Sequence, residues 1–124
     1  MISFEEFAEI LDDLANKLPG DIYVSLNGGI NLLPDEVLHD ESDPSAPLFV
    51  MGEYNVNRLG RYINIYYGSF MQTYGHLPAK KLAKKIGSTL RHEFLHHLES
   101  LAGENGLETQ DMMELDEYKR QLGR

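Results

Sequence analysis

The sequence predicts an α/β domain of mixed, α+β order. It has a small twisted sheet packed on one long helix, with a further helix at each end of the chain. Three observations predict it. Arg61 to Tyr67 alternates Tyr62, Asn64 and Tyr66 against Ile63, Ile65 and Tyr67, the two-residue period of a strand with two distinct faces. Pro78 to about Ala102 carries apolar residues at helical spacing. Ser3 to Leu18 opens on a capping signal and closes at Pro19-Gly20. A chain of 124 residues, 42% of them hydrophobic, suits one domain, 1–124, around a single core.

Taken in order, the first helix has Ser3 as N-cap, with Glu6 three residues on completing a capping box. Phe4, Phe7, Leu11, Leu14 and Leu18 form its apolar stripe. Ile22-Tyr23-Val24 fits either a strand or one helical turn. Asn27-Gly28-Gly29 signals a turn, and Ile30 to Leu33 a short strand. His39 to Pro47 is polar, acidic and broken by prolines, as in a surface loop. Leu48 to Tyr54 and Arg61 to Tyr67 are strands joined through Asn55–Gly60, and Gly68 to Leu77 is a linker. In the long helix Pro78 suits the first turn, and Gly103 is a natural stop. Ala79, Leu82, Ala83, Ile86, Leu90, Phe94, Leu98 and Leu101 mark its core face. A last helix is expected near Thr109 to Leu122.

Charge and composition exclude several functions. The formal net charge of −9 leaves no basic face for nucleic acid and no attraction to anionic membrane. With no cysteine, there is neither a disulfide framework nor a thiolate ligand, so any metal must be held by His, Asp or Glu. The acidic opening Met1-Ile2-Ser3-Phe4-Glu5-Glu6 is unlike a signal peptide, and the expected location is cytoplasmic.

The chemistry concentrates in His92-Glu93-Phe94-Leu95-His96, a match to the zincin pattern His-Glu-x-x-His. Four residues on a helix bring His92 and His96 to one face, one turn apart, where two imidazoles can share a zinc ion. Glu93 is then the general base that takes a proton from the attacking water. His97 lies about 140° from His92, on the core side, and reads as a buried histidine with a backbone partner. Tyr62, Tyr66, Tyr67 and Tyr74 could stabilise an oxyanion, although tyrosines here more often serve the core or the sheet surface.

With this motif, its length, its acidic first helix and the strand around Ile63-Asn64-Ile65-Tyr66, the chain resembles a family of small predicted metallopeptidases with a minimal zincin-like fold. There the motif continues His-Glu-x-x-His-His-x-Gly-x-x-Asp, and the resemblance implies that Asp as third ligand. This chain has Glu99 in place of the Gly and Ala102 in place of the Asp. Glu99 falls within about 60° of both histidines on the helix and is the expected third ligand, directly or through a water. Asp111 is the alternative, with Glu104, Glu108 and His76 also in reach of the argument. The expected function is zinc-dependent hydrolysis of a peptide or protein substrate aligned along an edge strand, Leu48 to Tyr54. The alternative is a non-catalytic metal-binding or protein-interaction domain.

Overall fold

The computed structural model describes residues 1–105 of the chain. The expected last helix, Thr109 to Leu122, lies outside them. Helix α1 (Phe4–Asn16) is followed by a 3-10 turn (Gly20–Tyr23) and strand β1 (Ile30–Leu33). Strands β2 (Gly52–Asn57) and β3 (Gly60–Tyr66) form a hairpin, and helices α2 (Tyr67–Tyr74) and α3 (Ala79–Asn105) complete the chain. The architecture is the mixed α and β class that the sequence predicts.

Helix α1 begins where its cap says it should. The Ser3 hydroxyl accepts from Glu6 N–H at 3.1 Å, and the Glu6 carboxylate accepts from Ser3 N–H at 3.1 Å. Such a cap contributes about 1 kcal/mol. Phe7 and Leu11 bury the stripe against a core that includes Phe70, Ile86 and Phe94. The helix ends two residues before Leu18, and Ile22 enters the core from the 3-10 turn rather than from a strand.

The sheet order is β1-β3-β2, with β1 parallel and β2 antiparallel to β3. Partnered residues point to the same face. Ile63 and Ile65, with Gly52, Tyr54 and Val56 of β2, therefore turn toward α3, while Tyr62 and Asn64 take the other face. The two-faced reading of this strand holds up to Tyr66.

Three boundaries differ from expectation. Leu48 to Tyr54 is not one strand. Leu48–Val50 pairs with Val37–His39 through His39 N–H to Leu48 O at 2.8 Å and Val50 N–H to Val37 O at 2.7 Å, and β2 starts only at Gly52. Asn55–Gly60, expected as a connection, instead extends the hairpin to a two-residue turn at Arg58-Leu59. There Gly60 takes φ of 126°, which a side chain resists. Third, much of the expected linker Gly68–Leu77 is helix α2. Its Gly, Ser and aromatic residues carry little helix propensity, but packing places it. Ser69 N–H donates to Asp35 O at 3.2 Å, its hydroxyl accepts from Val37 N–H at 2.9 Å, and Phe70 is fully buried.

Helix α3 buries Leu82, Ile86, Leu90, Phe94 and Leu98 of the core face that periodicity marks, while Ala83 and Leu101 are half-buried and Ala79, in the first turn, is exposed. It also buries Glu93, Leu95 and His97, because β2 and the 3-10 region cover its flanks. The helix runs through Gly103 to Asn105 instead of stopping there. Among the described residues no helix is long and apolar enough to cross a membrane.

Candidate functional site

A cleft of about 950 Å³ lies between α3 and the edge of the sheet. One wall is the α3 row Ser88, Thr89, His92, Glu93, His96 and Ser100. The facing wall is β2, through Gly52, Tyr54 and Val56. The extension that pairs Val37–His39 with Leu48–Val50 closes a further side with Val37, His39 and Asp40. A Cβ on Gly52 would stand 3.0 Å from Thr89 Cγ2 and 3.1 Å from Ile65 Cδ1, so a side chain here would crowd the contact between strand and helix.

His92 and His96 are both exposed to this cleft, with their Nε2 atoms 3.0 Å apart and ring planes nearly perpendicular. Two nitrogens each about 2.0–2.1 Å from one tetrahedral ion are about 3.3 Å apart. The pair therefore fits a shared ion to within a few tenths of an ångström. Among the described residues, however, no three His, Asp or Glu side chains gather closely enough to hold a metal. Glu99 is exposed further along α3, and Asp111, Glu108 and the side chain of Glu104 lie outside the described part. His76 is exposed between α2 and α3 and does not line the cleft.

Glu93 is 6% exposed, lying beneath the edge strand. Burial pushes its carboxyl up to about 7, with the neighbouring Glu53 carboxylate adding to the rise, while a hydrogen bond from Tyr54 N–H opposes it. The wheel places Glu93 on neither the apolar nor the histidine face; its burial comes from β2, which helix periodicity does not see.

His97 is fully buried. Its Nε2–H donates to Val24 O at 2.8 Å, so Nδ1 accepts from the Tyr54 hydroxyl at 2.8 Å. This is the backbone partner expected of it, joined by a side-chain partner that the sequence did not indicate. Arg61 Nη1 donates to the same Tyr54 oxygen at 2.8 Å and to Ser100 Oγ at 2.7 Å. The network fixes Tyr54, and with it the N–H that holds Glu93. Burial pushes the His97 ring below its ordinary range, keeping it neutral.

The four tyrosines weighed for oxyanion binding are engaged elsewhere. Tyr62 OH accepts from Asn57, Tyr66 OH donates to Glu53, Tyr67 OH donates to Ile2 O, and Tyr74 stacks under Lys85. None of them lines the cleft, and the tyrosine that does is Tyr54.

No protein-family model matches the chain, and no curated protein matches it either. Among solved structures it is similar to a conserved hypothetical protein from Thermus thermophilus. That similarity has 29% identity and a TM-score of 0.72, and covers 82% of this chain and 99% of that one. The resemblance to the small zincin-like metallopeptidase family is accordingly corrected: no family model carries it, and the described residues form no three-donor metal group. A five-residue motif constrains one turn of helix; it does not determine the rest of a ligand set.

Proposed function

We propose that the chain is a metal-dependent hydrolase acting on peptide bonds, with zinc held by His92 and His96 and with Glu93 as general base. The observation that carries this reading is the convergence of the two Nε2 atoms, 3.0 Å apart, beside a buried carboxyl at the mouth of a substrate-sized cleft. Bound zinc supplies Lewis acidity, which polarises a carbonyl and brings the pKa of water down to about 7. Glu93 is poised near neutrality, so it can take a proton and return it at the same pH. Tyr54 N–H fixes the orientation of that carboxyl. Among the described residues β2 is an edge strand, and the edge groups beyond Tyr54 N–H can receive an extended peptide by strand addition. Because no third donor gathers with the pair among the described residues, Glu99 enters this reading through a bridging water, with Asp111 as the alternative.

The incomplete donor set favours a second reading, a metal-binding or interaction domain without catalysis. Elemental analysis of the purified chain, followed by a peptide-library screen with and without chelator, separates the two. Chelator-sensitive cleavage supports the hydrolase; about one zinc per chain with no cleavage supports the metal-binding domain; no metal at all rejects both of these and leaves the interaction domain.

A further inference from the structure

We propose that His39 is a further catalytic residue, whose Nε2–H donates to the substrate carbonyl oxygen as negative charge builds on it. The inference rests on the hydrolase reading above.

His39 belongs to the exposed acidic loop, and helix periodicity gives no reason to associate it with His92 and His96. The fold brings it into the lining of their cleft. It is also held there more firmly than an exposed loop residue usually is. Its N–H donates to Leu48 O at 2.8 Å, its carbonyl accepts from Ser42 N–H at 2.9 Å, and its ring Nδ1 accepts from Glu41 N–H at 3.0 Å. The segment beneath it is tied to the core through Val37 N–H and the buried Ser69 hydroxyl.

The ring bond decides what His39 can do. A neutral imidazole has one nitrogen that donates and one that accepts. With Nδ1 accepting, the proton sits on Nε2. That nitrogen then has no lone pair for a metal, but it has a hydrogen to give. His92 and His96 instead turn their Nε2 atoms toward each other, 3.0 Å apart. The four tyrosines weighed for this role do not line the cleft, and the Tyr54 hydroxyl, which does, gives its hydrogen to His97 Nδ1.

The step this serves is the addition of water. The water oxygen bonds to the carbonyl carbon, the C=O π pair moves onto the oxygen, and the water proton goes to Glu93. His39 Nε2–H donates to that oxyanion without losing its proton. As C=O re-forms the C–N bond breaks, and the leaving amine takes the proton from Glu93, giving a carboxylic acid and an amine.

Three measurements test it. Long-range ¹H–¹⁵N correlation of the metal-free chain at pH 8 should show His39 protonated on Nε2; the Nδ1–H form overturns the proposal. Zinc titration of wild type, His39→Ala, His39→Gln and His92→Ala should show loss only in the last; loss in His39→Ala makes it a ligand and overturns the proposal. On a quenched fluorescent peptide library, His39→Ala should lower kcat by about 10²-fold with little change in KM, as for a lost oxyanion donor, and His39→Gln, which keeps an N–H, should recover part of it. Cleavage unchanged in His39→Ala overturns the proposal while leaving the hydrolase reading intact. A wild type that binds no zinc or cleaves nothing overturns both.

Discussion

His96 and His97 are adjacent in sequence and have opposite roles in the structure. His96 is exposed to the cleft with its Nε2 turned toward His92; His97 is fully buried with one nitrogen on Val24 O and the other on Tyr54. A step of about 100° around a helix separates them. A histidine can serve a ligand only from a ring turned to where a ligand can come: His92 and His96 line the cleft on one side of α3, and on the other both ring nitrogens of His97 are bonded inside the core. Glu93 lies between the two: buried like His97, yet lining the cleft like His96.

The largest effect expected from this contrast is on metal. His92→Ala and His96→Ala should each lower zinc affinity by well over ~100-fold, more than the loss of an outer partner costs, with thermal stability within about 0.5 kcal/mol of wild type, as at other exposed sites. Isothermal titration and thermal melts check both halves. Equal zinc loss in His97→Ala would break the contrast. Next, Glu93→Gln should keep zinc and lose peptide cleavage by about 10²-fold or more, read by turnover of the metal-loaded variant. Third, His97→Ala should cost about 2–4 kcal/mol in urea unfolding, since it opens a cavity and strips Tyr54 and Val24 of a partner. A smaller effect sharpens the position of Glu93. Its carboxyl is raised in the folded chain to about 7 from an unfolded value near 4.3. The folded state therefore carries no penalty from it below about pH 4.3 and accumulates one as pH rises toward 7. Metal-free Glu93→Gln should match wild type at pH 4 and exceed it by about 1–3 kcal/mol at pH 8; a difference that does not change with pH would show the carboxyl to be solvated.

The elements legible in the sequence are those whose cause is local. Ser3 and Glu6 announce the start of α1, Ile30–Leu33 is bounded by turn residues, and Leu82 to Leu98 trace a stripe that one helix can display alone. Of the candidate site, the spacing of His92, Glu93 and His96 is what the sequence displays, and the structure brings the two imidazoles together. What was hidden depends on partners distant in sequence. Helix α2 exists because Gly68 admits Pro34 O and Asp35 O, each within 2.7 Å of where a Cβ would stand, and no propensity records that. The backbone hydrogen bond to Glu93 and the second partner of His97 both come from Tyr54, some 40 residues upstream. His39 reaches the cleft only because its loop folds back on Leu48–Val50.

The tight turn that closes the hairpin has a kinetic consequence. The two-residue turn at Arg58-Leu59 lets β2 and β3 close on the time scale of about 1–10 μs typical of hairpins. β1 must instead find β3 in parallel across the intervening chain, with Ile30 opposite Ile63, an encounter that long loops delay. Asn27 gives that search a starting point: its side chain takes Arg61 N–H at 2.9 Å and donates to Leu59 O at 3.1 Å, and Gly28 N–H meets Arg61 O at 2.8 Å. Pairing can begin there and zip toward Leu33, so an Asn27→Ala chain should refold more slowly than wild type even though its cleft lining is unchanged.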